Sequence, residues 1–442
     1  MILYEGKECR LLMNEIEKQV FREEEVPEQS TQPLPVPLRS EKVEAVVAGH
    51  ICLDIIPTLV GGTVTLAPGR LLEAGKAVIS TGGSVSNTGL ALHKLGLSTR
   101  LMGKIGIDLF GQAIVQVLES FDAGLARGMV VVPGESSSYS VIISPPQTDR
   151  VIIHSPGCND TFGYEDIRYD MLEKAGLFHF GYPPLMARMY HDNGTELVEI
   201  FKRAKASGVT TSLDFSMPDP ASSSGKADWR AILSAVLPYV DVFSPSVEEL
   251  LLVLRRPLFE KLSHKSGSFL DLLLPDVVSE LGSELLEMGA KVVGLKAGHR
   301  GLYLRTADIA LLEKMGRVQP GKLSGWANRE LWAPCFLTQV VGTTGSGDAT
   351  IAGFLFGLMR GMSAEAALSA ACAVGACSVE AADALSGITS WPTVLERIAA
   401  GWPRLLLKEK HKSPLDMQHF GWQWHEFQEV WMGPKDLQQA LR

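Results

Sequence analysis

The stretch Val340-Val341-Gly342-Thr343-Thr344-Gly345-Ser346-Gly347-Asp348-Ala349-Thr350 carries the densest chemistry in this chain. Its apolar start predicts the end of a strand. A loop of glycines and hydroxyls follows, and then a helix with no side-chain bulk at its mouth. Glycines there let backbone N–H groups converge on an anion, and the helix N-terminus adds partial positive charge. Asp348 falls at the helix start. A carboxylate beside an anion site costs repulsion unless a cation or a transferable proton is involved. The placement therefore suggests a base acting on a hydroxyl that attacks a phosphate. Taken alone, the loop favours a plainer reading, an Asp capping a glycine-rich turn. It is neither a lysine-bearing phosphate loop nor a dinucleotide fingerprint, because no Lys follows the last glycine and the glycine spacing differs.

Two stretches upstream bear on this loop. Thr81-Gly82-Gly83-Ser84-Val85-Ser86-Asn87-Thr88-Gly89 runs on through His93, Lys94 and Gly96 to Gly103-Lys104-Ile105-Gly106-Ile107-Asp108-Leu109-Phe110-Gly111. Paired glycines permit close approach of a ligand to the backbone, and Asn87 offers a donor and an acceptor that suit a hydroxyl. A glycine turn with Asn87 as cap is the alternative. His93 and Lys94 read as helix-face residues without partners. Gly49-His50-Ile51-Cys52-Leu53-Asp54 sets a carboxylate just past a buried strand, where ligands of open α/β sheets collect. An isolated Asp there is more often a turn residue. His50 reads as structural rather than catalytic.

Around these motifs, short β-branched runs alternate with helical periodicity from Val43 onward. Strands are expected at 43–49, 99–103, 177–180, 209–213, 240–243 and 291–295. Helices are expected at 87–95, 109–121, 196–206, 229–237, 247–254, 348–359 and 364–380. This alternation predicts an α/β protein whose mostly parallel central sheet is flanked by helices. Residues 58–81 and 128–154 break it with period-2 runs and predict antiparallel strands of a small accessory sheet. Residues 306–330 read as an insertion. Residues 1–42 form an N-terminal extension with a linker at Pro27, Pro33, Pro35 and Pro37, and 43–402 form the main domain. The tail, 403–442, holds Trp422, Trp424, Phe427 and Trp431, too aromatic for a disordered end, and is expected to pack on something.

The 442 residues are 46% apolar and 21% charged, ordinary globular proportions. A net charge of −9 argues against a nucleic-acid partner, which needs a basic stripe. No stretch approaches the roughly 20 apolar residues of a membrane span, and the start of the chain lacks a basic, then apolar, leader. The six cysteines include no CxxC pair and read as buried thiols in a reducing compartment, against a disulfide framework or a zinc site. A cytoplasmic enzyme or binding protein fits best.

Together the motifs resemble a known family. Residues 82–111 resemble the first PfkB signature and 340–354 the second, in the right order. Asp54 falls where ribokinase-like enzymes hold a sugar-binding Asp. Phe243-Ser244-Pro245-Ser246-Val247-Glu248-Glu249 and Leu295-Lys296-Ala297-Gly298-His299-Arg300-Gly301 match as well. The resemblance covers about 43–400. It implies a ribokinase-like carbohydrate kinase with a β-sheet lid, which uses ATP and Mg²⁺ on a sugar or sugar-like substrate. It implies Asp348 as catalytic base, with Gly345, Ser346 and Gly347 as the anion hole. Asp54, Gly82, Gly83 and Asn87 would contact substrate hydroxyls. Gly298, Gly301 and Thr344 would face the nucleotide, and Glu249 would organise the metal. It also implies a homodimer through the lid. Two positions depart from the family pattern: Gly342 stands where an Asp usually opens the second signature, and Ser246 where the metal-side motif has Asn. A nucleoside kinase of the same fold and a non-catalytic ligand sensor are the alternatives. An oxidoreductase is excluded by the position of the glycine motifs.

Overall fold

The central sheet begins with β1 (Ala45–Gly49), every residue of which is buried. Helices cover both faces of a parallel sheet, so its strands need apolar side chains on both sides. A computed structural model describes residues 43–59, 68, 69, 71, 73–143, 151–265, 269–405 and 417–437. The extension expected at 1–42 lies outside the described residues.

The accessory sheet holds β2 (Cys52–Leu59) and β3 (Ala74–Gly82). Back in the main sheet, β4 spans Thr99–Met102, and β5 (Lys104–Gly106) pairs in parallel with β6 (Val130–Val132) as a separate ribbon. β7 (Tyr139–Ile143) and β8 (Val151–Ser155) complete the accessory sheet in the order β3-β2-β7-β8. Its β2–β3 and β7–β8 pairs are antiparallel, and β2–β7 is parallel. The expected accessory stretches are thus corrected at their edges. The first strand starts at Cys52 rather than Thr58, and residues 130–132 leave for the β5 ribbon.

In the main sheet, β9 (Leu177–Gly181), β10 (Thr210–Leu213), β11 (Val242–Phe243) and β12 (Val292–Lys296) run parallel with β1 and β4, in the order β4-β1-β9-β10-β11-β12. β13 (Leu302–Thr306) and β14 (Glu330–Ala333) then continue antiparallel. The aromatic tail adds the last two of the ten strands, β15 (Gln423–His425) and β16 (Val430–Met432). Trp422 is fully buried, edge-on to Tyr303 and Trp332.

Four helices position the site. α1 (Ser84–Lys94) follows β3, and α2 (Val247–Leu254) follows β11. α3 (Ser346–Met359) packs on α4 (Ala364–Ser378), where Gly353 and Gly357 let the two backbones approach: a Cβ on either would meet α4 backbone within 2.9 Å. Two expectations fail locally. Lys94 has a partner, donating to the Leu385 carbonyl at 2.7 Å. Val340 and Val341 form no strand and are well exposed. Among the described residues, no helix is long and apolar enough to cross a membrane.

Candidate active site

The parallel strands end at one level, and nearly every polar group of the site sits there. His50 and Asp54 follow β1, Tyr182 follows β9, Asp214 follows β10, Ser246 follows β11, and Lys296 closes β12. Open α/β sheets collect ligands beyond the carboxyl ends of their strands.

Asp348 lies in the first turn of α3, almost fully buried. Asn87 Nδ2 donates to its Oδ2 at 3.0 Å and the Thr88 hydroxyl to its Oδ1 at 3.3 Å. The Tyr182 hydroxyl reaches both oxygens, at 2.9 and 2.8 Å. Burial raises the Asp348 carboxyl above the ordinary carboxylate range; the Lys296 charge and these three donors pull against that rise. α3 enters through Gly345 at φ 70°, a left-handed turn that glycine adopts without strain. The first helical i→i−4 bond is Ala349 N–H to the Gly345 carbonyl at 2.9 Å. That leaves the N–H groups of Gly347 and Asp348 at the helix mouth. Ser346 instead turns back: its N–H and its hydroxyl both donate to the Thr343 carbonyl.

Beside this turn, Lys296 Nζ meets Asp214 Oδ1 at 2.7 Å. Burial lifts the Asp214 carboxyl, against the pull of Lys296. Burial also opposes the charge on Lys296, but Asp214, Glu249 and Asp348 together carry its pKa above the usual lysine value. Glu249 forms a capping box on α2: its Oε2 accepts the Ser246 N–H at 2.6 Å, and Ser246 Oγ accepts the Glu249 N–H at 3.2 Å. The serine that departs from the family pattern is thus fixed as a helix cap.

Two cavities meet at the 343–347 loop. One, of about 620 Å³, is lined by Lys296, Gly298, Gly301, Thr343, Ser346 and Gly347, with Val340 and Glu248 on its walls. The other, of about 700 Å³, lies under the accessory sheet and is lined by Asp54, Gly83, Asn87, Tyr182, Thr344 and Gly345. Thr344, expected on the nucleotide side, therefore lines the opposite cavity from Gly298 and Gly301. Gly82 and Gly83 explain themselves here: a Cβ on Gly82 would fall within 2.2 Å of Asp54 Oδ2, and one on Gly83 within 2.5 Å of His50 Nδ1. Asn87 Oδ1 and Asp214 Oδ2 are buried with no partner among the described residues. A buried polar atom left so costs about 1–3 kcal/mol, which a ligand donor or cation would recover.

Residues 43–391 match the pfkB family carbohydrate kinases. This chain belongs to that family. An uncharacterized sugar kinase of Archaeoglobus fulgidus is 24% identical over 269 residues, 61% of this chain and 86% of that one. A probable chloroplastic fructokinase of Arabidopsis thaliana is 24% identical over 325 residues, 73% of this chain and 72% of that one. Among solved structures, Arabidopsis thaliana ribokinase complexed with ribose and ATP superposes with a TM-score of 0.59 at 20% identity, over 80% of this chain and 97% of that one. The fold of this pfkB kinase is therefore ribokinase-like, with the accessory sheet as its lid. Sequence reasoning passed over Tyr182, Thr88, Asp214 and Lys296 as site residues. The signal available for three of them was their place at parallel strand ends.

Proposed function

We propose that this chain transfers the γ-phosphoryl group of ATP to a hydroxyl of a neutral sugar or sugar-like polyol, with Asp348 as general base. The observation that carries this is the 343–347 loop, which lies between two cavities and leads into the α3 turn of Asp348, a buried carboxylate held by Asn87 and Tyr182 from the lining of the lid cavity. ATP would lie in the cavity of Gly298 and Gly301, with Val340 offering an apolar wall to its base. Its terminal phosphate would approach the α3 mouth, where the N–H groups of Gly347 and Asp348 would face developing charge, with Gly345 supplying the turn and Ser346 freed for the anion hole only if its N–H leaves the Thr343 carbonyl. The acceptor would lie under the lid. There Asp54 and the free Asn87 carbonyl oxygen accept from its hydroxyls, and Gly82 and Gly83 let it close on the backbone. Asp348 takes the proton of the attacking hydroxyl, and Tyr182, Asn87 and Thr88 hold the carboxylate in place. Glu249, with one oxygen outside the capping box, and Glu248 on the cavity wall would face Mg²⁺ and its waters, which neutralise phosphate charge when bound with the nucleotide.

The neutrality of the acceptor rests on the lining of the lid cavity. Its described residues include Asp54, Asp160 and Asp219 and no Lys or Arg. An anionic sugar acid or sugar phosphate would meet like charge there. Leu185, Tyr190 and Met217 give the same cavity an apolar wall, which favours a nucleoside as the second reading. The five described cysteines are all unpaired, which suits a reducing cytoplasm. The lid leaves Val78, Ile79, Val151, Ile152 and Ile153 exposed on its two edge strands, a surface that a second copy of the chain would cover.

The test is ADP release with Mg²⁺–ATP across neutral sugars, sugar acids and nucleosides, for the native chain and Asp348→Asn. Turnover on a neutral hydroxylated acceptor is expected, falling by roughly 10²–10⁴-fold in the variant with acceptor binding retained. Binding without turnover on any acceptor would favour the ligand-sensing alternative. Full turnover in the variant would make Asp348 a helix cap.

A further inference from the structure

One group of side chains in the lid cavity has no part in phosphoryl transfer. His50 comes from the turn after β1, Cys52 from the first position of β2, and His154 from β8. Their ligand atoms all lie within 4.8 Å of one another. His50 Nε2 and His154 Nε2 face each other at 3.3 Å. Two Zn–N bonds of about 2.05 Å at a tetrahedral angle hold their nitrogens about 3.3 Å apart. A nitrogen and a thiolate sulfur on the same ion would be about 3.6 Å apart, so Cys52 needs at most a small shift. His154 Nδ1 lies 3.1 Å from Ser140 Oγ. That contact would hold the ring proton on Nδ1 and turn Nε2 toward the ion, the supporting bond that metal-bound histidines ordinarily have.

We propose that His50, Cys52 and His154 form a site for one zinc-class divalent cation, with a fourth coordination position open to the lid cavity. Two imidazoles and a thiolate suit Zn²⁺ or Co²⁺ and suit Mg²⁺ poorly, since Mg²⁺ demands oxygen ligands. The Cys52 thiol donates its proton in a hydrogen bond to Asp54 Oδ1 at 3.3 Å. Ligation replaces the S–H bond with a metal–thiolate bond and releases that one proton to solvent. All three residues line the cavity of Asp54 and Asn87. The cation and a hydroxylated acceptor would therefore share one cavity and each would alter the binding of the other, a consequence that rests on the assignment of this cavity to the acceptor.

The probe is Co²⁺, added to the full chain at neutral pH and followed by absorption, with Zn²⁺ titrated calorimetrically in buffers of different ionisation enthalpy. Expected are tetrahedral Co²⁺ bands, a near-ultraviolet thiolate-to-metal band and one proton released per ion. Cys52→Ser should abolish the thiolate band, and His154→Gln should weaken affinity at least tenfold. Cys9→Ala should change nothing, and circular dichroism checks that each variant is folded. No thiolate band in the native chain, or a band that survives both Cys52→Ser and His154→Gln, overturns the site. The same titration repeated with an acceptor that supports ADP release should show a changed Co²⁺ affinity. Unchanged binding, with the thiolate band still lost in Cys52→Ser, keeps the ion at these residues and removes the acceptor from this cavity.

Discussion

Tyr182→Phe tests how the buried carboxylate is kept usable. A carboxylate offers about four lone-pair directions. In Asp348, Asn87 takes one, Thr88 another, and the single Tyr182 proton is shared between the two oxygens at 2.9 and 2.8 Å. An acceptor hydroxyl can reach the base only by taking one of the Tyr182 contacts. The tyrosine hydroxyl stays protonated, since burial and the Asp348 charge hold its pKa well above the ordinary value. It therefore stabilises the ionised form of Asp348 and opposes the rise that burial imposes. A hydrogen bond to a charged group is worth about 1.5–3 kcal/mol, so losing it should weaken the acidity of Asp348 by roughly ten- to a hundredfold. The base acts when ionised, so activity is lost as pH falls through its folded pKa. The phenylalanine variant should lose activity at a higher pH than the native chain. Above that limb, kcat/KM should stay within a few-fold of native, because removing the phenol also frees a lone pair for the acceptor. The assay is kcat/KM for the acceptor across pH at saturating Mg²⁺–ATP. An acid limb that does not move would refute the reasoning. A plateau that collapses would mean that Tyr182 grips the acceptor rather than the base.

Asp54→Ala should raise the acceptor KM by roughly tenfold or more, the loss of a charge-assisted hydrogen bond, and leave the ATP KM alone. Gly82→Ala should give the same split, because its Cβ would occupy the position of the Asp54 carboxylate. Equal effects on both KM values would move the acceptor away from these residues. Activity should require Mg²⁺ yet stay flat when KCl replaces a large organic cation at constant ionic strength, since Gly342 supplies no carboxylate; a saturable activation would show that other groups build such a site. Gly342→Asp should lower the thermal midpoint rather than create a K⁺ response. Its Cβ would come within 2.9 Å of the Ala381 and Ala382 carbonyl oxygens, and overpacking of that kind costs about 1–3 kcal/mol.

The elements most legible in the sequence were those whose pattern has one cause. Leu109–Phe121 and Val247–Leu254 are helices with the expected bounds, because apolar periodicity against one core face sets them. Val340-Val341 has the same apolar look for a different reason: Val340 lines the cavity of Gly298 and Gly301, so a ligand wall resembled a strand end. β14 was hidden by a buried charge, since Glu330 is fully buried and accepts from Ser279 and Tyr303. β15 and β16 are three residues each, too short to carry a period. In the site, glycine-bearing motifs announced Asp348 and Asn87, because close backbone approach leaves a mark in composition. Tyr182 and Asp214 stand alone in sequence, Lys296 lies in a stretch marked by its glycines, and the three become neighbours only where β9, β10 and β12 end together.

The charges at that meeting point also restrict what can bind. Asp214, Glu249 and Asp348 surround one cation, Lys296, and all three acids act on it. Burial already raises both Asp214 and Asp348, so each resists carrying its charge. A nucleotide triphosphate arriving alone would deepen the excess of negative charge and press both carboxyls further toward their neutral forms. A proton on Asp348 would then remove the base at the moment the phosphate is in position. A divalent cation entering with the nucleotide reverses that sign, since it is the largest local charge and favours ionised carboxylates around it. The described lining under the lid differs, holding three aspartates and no Lys or Arg. The two cavities therefore differ in kind. One described lining carries Lys296 and Glu248, and the other carries Asp54, Asp160 and Asp219 with no Lys or Arg, which is the ground for proposing a neutral acceptor there.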